Sequence, residues 1–107
     1  MGVIDPRNIV SKEAVKDVKY KILVKGENIM VVMFEFEPYA IVPNHNHVEE
    51  QAGIVLKGEG DFKIGEKVYQ VKEGMAYHVP SNVSHRVEVG KDGGIFLDIF
   101  SPPRKDL

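Results

Sequence analysis

Cysteine is absent from the 107-residue sequence. This absence excludes a disulfide framework, a zinc site built on thiolates and catalysis by a cysteine nucleophile. A metal held by this chain must therefore use histidine, carboxylate, amide or water ligands. A single domain of this length can still bury enough apolar surface to fold without a cross-link.

A large excess of charge and long hydrophobic runs are also missing. The 14 Lys and Arg residues nearly balance the 16 Asp and Glu residues, which argues against nucleic acid or an anionic membrane surface as a partner. The longest apolar run, Ile29–Phe34, is far shorter than the roughly 20 residues that span a bilayer. The first ten residues lack the apolar stretch of a signal peptide. We therefore expect no membrane partner and a cytoplasmic location.

Glycine and proline, by contrast, are frequent and divide the chain into short apolar segments. Turn residues at such close spacing favour an all-β sandwich or barrel, in a single domain of residues 1–107. Apolar residues alternate with charged ones over Val18–Lys25, as in a half-buried strand. Further strands are predicted at Ile29–Glu37, His45–Lys57, Phe62–Ile64, Val68–Tyr69, His85–Val89 and Ile95–Ser101, with a short one after Gly74.

Local turn signals predict where these strands begin and end. The pair Gly65-Glu66 is typical of a two-residue hairpin turn. The segment Asp5–Val18 lacks a helical apolar face and is expected to be coil or strand. Three features are predicted to interrupt strands: the loop bracketed by Pro38 and Pro43 and the glycine-rich stretches 58–60 and 90–94.

Two of the four histidines, His45 and His47, are separated by a single residue in a polar segment. On a regular strand, residues i and i+2 point to the same face, and Gln51 has the same parity. With His85 from a later strand, these side chains are predicted to form a four-ligand metal pocket inside a barrel. Glu49 shares the parity and is an alternative to Gln51. Imidazole suits several metals, so the ligand set does not name the ion.

The stretch HNHVEEQAGIVLKGEG resembles the first motif of the cupin superfamily, HxHx(3)Ex(6)G, with Gln51 at the Glu position and Gly58 at the closing glycine. The stretch GMAYHVPSNVSH resembles the second motif, Gx(5)PxGx(2)H, with Gly74, Pro80 and His85 in register. The resemblance implies a double-stranded β-helix, a jelly-roll barrel of nine to eleven strands in two facing sheets. It also implies one divalent transition metal (Zn, Ni, Mn or Fe) on His45, His47, Gln51 and His85.

The chain departs from the cupin motifs at several positions. Tyr39 and Asn82 replace two motif glycines, and Val89 replaces the final Asn; Asn tolerates the left-handed backbone that glycine often supplies. Gln51 replaces a carboxylate with an amide, which makes the site one charge more positive and favours Lewis-acid chemistry over oxygen activation. His78 matches no motif position, so we assign it a structural or pocket-rim role.

The segment LDIFSPPRKDL resembles the C-terminal segment of small cupins that ketonise unsaturated uronates in pectin degradation. That resemblance implies a metal-dependent enzyme that converts a 4,5-unsaturated monomeric uronate to its linear keto form. It makes Asp98 the acid/base group, Phe100 part of the sugar pocket and Arg104 a catalytic residue that binds the uronate carboxylate. The alternatives are a metal-dependent dioxygenase or isomerase of another small acid, and a non-catalytic cupin that binds a sugar acid.

The expected partners are a small-molecule sugar acid and a second copy of the chain. A small sandwich leaves strand edges to cover, and the alternating strand around Tyr20 is predicted to pair across a two-fold axis in a homodimer. Residues 1–30 are assigned to an N-terminal strand region, and residues 39–107 to the barrel that carries both motifs.

Overall fold

A computed structural model describes residues 2–107, which form one short 3-10 helix, Pro6–Asn8, and eight strands. No helix in this range is long and apolar enough to cross a membrane. The segment Asp5–Val18, predicted to be coil or strand, contains the 3-10 helix and the first strand. In chain order the strands are β1 (Lys12–Val15), β2 (Val18–Lys25), β3 (Met30–Phe36), β4 (Ile41–His45), β5 (Glu50–Ile64), β6 (Lys67–Lys72), β7 (Ala76–Val79) and β8 (His85–Ser101).

The two long strands, β5 and β8, pair with each other and contribute to both sheets of a barrel. The C-terminal half of β8 and the N-terminal half of β5 lie at the centre of the first sheet, flanked by β3, β2 and β1 on one side and by β7 on the other. In the second sheet, the N-terminal half of β8 and the C-terminal half of β5 pair with each other and are flanked by β4 and β6. All pairing is antiparallel, and the predicted all-β jelly-roll barrel is confirmed.

Glycines allow both long strands to bend where the two sheets meet. Gly58 and Gly93 have φ angles of +88° and +67°, which glycine adopts without steric cost. A Cβ on Gly58 would collide with the carbonyl oxygen of Gly93, and one on Gly93 would collide with that of Phe36. The prediction that strands end at these glycines is therefore wrong, because pairing continues around the corner. Two strands span both sheets, so the barrel has eight strands rather than nine to eleven.

The predicted loop between Pro38 and Pro43 is shorter than expected, because β4 begins at Ile41 and includes the second proline. Within residues 2–107, strand β4 pairs with β8 alone, and its register shifts between Val42 and His45. An irregular edge strand tolerates a residue without an N–H, which explains how proline fits here.

The hairpin and the first long strand agree with their predictions. Gly65 and Glu66 form a two-residue turn between β5 and β6, and β2 spans Val18–Lys25 as the alternation indicates. The prediction that the strand around Tyr20 pairs across a two-fold axis is wrong, because β2 already pairs with β1 on one side and with β3 on the other.

Two apolar clusters fill the barrel and meet at Phe34, which packs against both. Burying each large apolar side chain contributes roughly 1.5–3 kcal/mol. The larger cluster includes Phe62, Phe96 and several valines, and the smaller one contains Tyr20, Met30, Val32 and Phe100. Among the described residues, three polar side chains are buried with this core: Gln51, His85 and Asp98.

Candidate metal centre

Three imidazoles meet at one end of the barrel. His45 is the last residue of β4 and lies opposite His85, the first residue of β8. His47 lies in the bend before β5, and one ring nitrogen from each of the three residues lies within 4.8 Å of the others. The prediction of one strand over His45–Lys57 is wrong, because residues 46–49 form this bend. The structure nevertheless brings the three histidines together.

Backbone carbonyls orient all three rings in the same way. The Nδ1 atoms of His45 and His85 lie 2.8 and 2.9 Å from the carbonyl oxygens of Pro43 and Val83, and Nδ1 of His47 lies 2.9 Å from that of Glu49. A carbonyl oxygen only accepts, so each Nδ1 carries the hydrogen and donates it. In a neutral ring this leaves the Nε2 lone pair free, which is the arrangement found in metal-binding histidines.

Burial disfavours the charged form of two of these rings, those of His45 and His85. It lowers the pKa of His45 and lowers that of His85 to about 4, because a charged imidazolium is poorly solvated inside the protein. His85 is only 2% exposed, and its Nε2 is a buried atom with no hydrogen-bond partner among residues 2–107. A buried nitrogen lone pair with no hydrogen-bond donor costs free energy unless a cation or another electron acceptor binds it. A cation between the rings fits that requirement.

Gln51, the second residue of β5, presents a further lone pair to the same place. Its Nε2 donates to Oδ1 of Asp98 at 2.9 Å, so its Oε1 is turned to Nε2 of His47, 3.1 Å away. In a neutral His47 ring whose Nδ1 carries the hydrogen, both of these facing atoms are acceptors, and they repel each other unless a cation lies near them. Three imidazole nitrogens and one amide oxygen therefore form a donor set that fits a divalent metal.

The acidic neighbours of Gln51 lie elsewhere. The carboxylate of Glu49 is 3.6 Å from Nδ1 of His47, on the side of the ring away from Nε2, so it does not take the place of Gln51. The carboxylate of Glu50 lies 2.6 Å from Nε2 of His78 in an exposed pair. This pair joins β5 to β7 apart from the three imidazoles, which agrees with a structural role for His78.

Asp98 is held by two donors, one of which sequence analysis missed. The Tyr77 hydroxyl donates to Oδ1 of Asp98 at 2.7 Å, and the Gln51 amide donates to the same oxygen. Neither of them donates to Oδ2. The tyrosine reaches the carboxylate across Gly53, which lies between them in the sheet, and a Cβ on that glycine would collide with both. Burial raises the pKa of Asp98 to about 6, although both hydrogen bonds act in the opposite direction.

Arg104 follows Pro102-Pro103 and packs over the fully buried ring of Phe100, with its Cζ 5.1 Å from the ring centroid. Its guanidinium is also paired with Asp106, a residue to which the sequence analysis gave no role. An aspartate two residues after the arginine was the sequence signal that could have identified this pair. Arg104 and Phe100 thus lie together, as the resemblance implies.

Two neighbouring spaces are lined by these groups. An inner cavity of about 60 Å³ is lined by His45, His85, Gln51, Asp98 and Arg104, together with core aromatics. A groove of about 350 Å³ borders it and is lined mainly by apolar residues of β1 to β4 and by the C-terminal segment. Both spaces are lined by His45 and Arg104, so the groove lies next to the polar end of the barrel.

Both residues that replace motif glycines adopt the left-handed backbone. Tyr39 has a φ of 62° and Asn82 a φ of 64°, so the turns keep the shape that glycine would give them. Asn accepts this conformation readily, whereas for tyrosine it costs roughly 1–2 kcal/mol.

The comparisons with known proteins agree with this architecture. A sequence model of the cupin domain matches residues 32–100. The pectin degradation protein KdgF of Dickeya dadantii (strain 3937) is 31% identical over 91 residues, which are 84% of this chain and 83% of that protein. Two solved structures superpose with a TM-score of 0.93: an RmlC-like cupin from Shewanella frigidimarina NCIMB 400 (24% identity, 99% of this chain and 95% of that one) and KdgF from Halomonas sp. (20% identity, 99% and 97%). The chain belongs to the cupin family.

Proposed function

We propose that this protein is a metal-dependent enzyme that converts a 4,5-unsaturated monomeric uronate to its linear keto form in pectin degradation. The observation that carries the proposal is a buried carboxylate, Asp98, in the same cavity as His45, His85 and Arg104. The similarity to the KdgF of Dickeya dadantii supports this class of substrate.

We assign one divalent transition metal to His45, His47, Gln51 and His85. The orphaned Nε2 of His85 and the facing acceptors of His47 and Gln51 support this assignment, and the donor set suits Zn, Ni, Mn or Fe. A cation there would supply Lewis acidity toward a carboxylate or hydroxyl oxygen of the substrate. The neutral amide of Gln51 leaves the site one charge more positive than a carboxylate would.

Arg104 binds the carboxylate of the uronate in this proposal. Its guanidinium matches a carboxylate with two parallel hydrogen bonds, and its place over Phe100 puts the bound sugar next to the cavity that Asp98 lines. The buried aromatic ring gives the guanidinium a rigid support and forms part of the lining of the inner cavity.

Asp98 acts as the proton shuttle through Oδ2, because both protein donors are on Oδ1. The carboxyl gives a proton to C4 of the substrate while a water oxygen bonds to C5, and the proton that the water releases restores the carboxyl. The C5 hemiketal then opens by breaking its bond to the ring oxygen, C5 becomes a ketone, and the hydrate left at C1 loses water. A pKa of about 6 suits a group that must both give and accept a proton near neutral pH.

The homodimer and the cytoplasmic location stay predictions. Among the described strands, β1 and β7 are the two edges of the first sheet, since each has a strand partner on one side. We assign the exposed strand β1 as the edge that pairs with a second copy. A monomeric mass in size exclusion at micromolar concentration would contradict the dimer.

The test is turnover by the metal-loaded full-length protein. Loss of the ultraviolet absorbance of an unsaturated galacturonate is followed with Zn, Ni, Mn and Fe in turn, with metal content and oxygen uptake measured on the same samples. We expect absorbance loss without oxygen uptake. Asp98→Asn should lower turnover about 10²- to 10⁴-fold with unchanged metal content, whereas Asp61→Asn, an exposed aspartate on β5, should match the parent.

Other outcomes would count against the proposal. No absorbance loss with any of the four metals would contradict the reaction, and oxygen uptake coupled to substrate loss would indicate a dioxygenase. Parent-like turnover by Asp98→Asn would show that Asp98 is not the proton shuttle.

A further inference from the structure

One edge of the Arg104 guanidinium is already held by a carboxylate of the chain. Its Nε donates to Oδ1 of Asp106 at 3.0 Å, and its Nη2 donates to Oδ2 at 2.6 Å. These hydrogen bonds hold the pKa of Asp106 below its usual range, so the carboxylate is charged at neutral pH. Paired bonds of this kind fix the plane of a guanidinium as well as its position.

The opposite edge of Arg104 remains available to a ligand. A guanidinium has five N–H donors, and Asp106 uses one on Nε and one on Nη2. The Nη1–Nη2 edge still offers the pair of parallel donors that a second carboxylate binds. One arginine can therefore hold one carboxylate from the chain and another from a substrate.

Burial distinguishes Arg104 from the carboxylate that holds it. The Arg104 side chain is 12% exposed, and that of Asp106 is 66% exposed. Arg104 lines the inner cavity together with Asp98, whereas Asp106 lines only the open grooves outside it. The carboxylate thus holds the guanidinium from the solvent side.

We infer that Asp106 is a positioning residue, which orients Arg104 so that its free Nη1–Nη2 edge receives the substrate carboxylate. The inference rests on the proposed uronate reaction and gives Asp106 no contact with the reacting atoms. An arginine that is ordered before binding loses little conformational freedom when the ligand arrives. Without Asp106 the substrate itself must order the Arg104 side chain, so the affinity of the protein for the substrate falls.

Steady-state kinetics of the metal-loaded Asp106→Ala variant test this role. Because Arg104 binds the carboxylate in the ground state and during reaction alike, we expect KM to rise about tenfold, the loss that ordering one long side chain produces, with kcat within about twofold. Asp106→Asn keeps one acceptor oxygen and should give an intermediate KM. Asp61→Ala removes another exposed carboxylate with a single side-chain partner, Gln70, and should leave KM unchanged.

An unchanged KM in Asp106→Ala would overturn the inference. A lower KM would also overturn it, because Asp106 would then compete with the substrate for Arg104. Metal content should equal that of the parent in all three variants, since Asp106 is not among the assigned ligands.

A second measurement does not depend on turnover. In nitrogen-15-labelled protein, exchange of the Arg104 Nε hydrogen with water should be about tenfold slower in the parent than in Asp106→Ala, the protection given by one ordinary hydrogen bond. The Nε hydrogen of Arg7, which donates to Asp5, is the internal control and should not change. Equal Arg104 rates in both proteins would refute the role of Asp106. If the rates differ but the parent converts no unsaturated uronate, the proposed function fails while the hold on Arg104 stands.

Discussion

Strand β8 carries two kinds of buried side chain. Val87, Val89, Phe96 and Phe100 belong to the two apolar clusters, whereas His85 and Asp98, which alternate with them along the strand, are polar. The same strand alternation produces both, but buried polar groups cost free energy unless they are paired. The apolar residues therefore stabilise the barrel, whereas we expect the polar residues to contribute to metal binding and catalysis. Substitutions in the two groups should have separable effects.

The largest effect is expected from His47→Ala, which removes one of the three converging imidazoles. With two nitrogen donors left, we expect bound metal below about one tenth of the parent's stoichiometry and turnover at background. Inductively coupled plasma mass spectrometry of the purified protein measures the metal. His78→Ala, the matched control outside the site, should keep its metal, and a fully loaded His47→Ala would contradict the assignment.

Phe62→Ala tests the apolar group instead. Phe62 is only 1% exposed, so its removal leaves a cavity and should lower the free energy of unfolding by about 3–5 kcal/mol. Urea denaturation measures this, and the folded fraction should still bind metal. Val68→Ala on exposed β6 should change stability by less than about 0.5 kcal/mol. Loss of metal at unchanged stability in Phe62→Ala would show that the two groups are not separable.

The pH dependence of the stability of the metal-free protein distinguishes the two buried titratable groups, His85 and Asp98. The pKa of His85 is lowered to about 4, so between pH 6.5 and 4 the unfolded state binds more protons and stability falls as pH falls. The pKa of Asp98 is raised to about 6, so between pH 6 and 4 the folded state binds more protons and stability rises. We expect these contributions to offset each other in the parent, and Asp98→Asn to lose about 2–3 kcal/mol over this range. Urea denaturation at each pH measures the free energy of unfolding. If that free energy did not change with pH in Asp98→Asn, the lowered pKa of His85 would be contradicted.

Tyr77→Phe removes one of the two donors that hold Asp98. We expect kcat to fall about tenfold, the value of one hydrogen bond to a charged group, with KM and metal content unchanged. Tyr69→Phe on exposed β6 serves as the control. A change in KM alone would show that Tyr77 acts on binding and does not position the carboxylate.

The smallest expected effect concerns the strained turn at Tyr39. Its side chain is 70% exposed and its backbone is left-handed, so Tyr39→Gly should raise the free energy of unfolding by about 0.5–1 kcal/mol. Thermal unfolding measures this change. Tyr69→Gly, within β6, should lower stability instead, and a destabilised Tyr39→Gly would mean that the tyrosine ring contributes more than its backbone costs.

Much of the candidate site was predictable because short motifs encode it. His45, His47, Gln51 and His85 were singled out from spacing and resemblance, and the structure brings them together. Their role as ligands stays a prediction. The path of the chain between them was predicted wrongly, since a bend that contains His47, rather than a continuous strand, joins His45 to Gln51.

Other parts of the site had no local signal. Tyr77 and Asp98 are 21 residues apart and meet only because β7 and β8 flank Gly53 on β5. The glycine stretches looked like strand ends, because the sequence does not show that Gly58 and Gly94 face each other across two bending strands. Such contacts depend on the pairing register of the strands, which is set when the barrel closes.

The sequence by itself determined the alternation of strands, the hairpin at Gly65-Glu66 and the kinds of side chain available to bind a metal or a carboxylate. These depend on steric and hydrogen-bonding preferences within a few residues of chain. Only the tertiary structure decided which lone pairs face one another, which oxygen of Asp98 is left without a donor and that Asp106 holds Arg104. Those features arise when two sheets close on a common interior, because burial and pairing are set by residues that are distant along the chain.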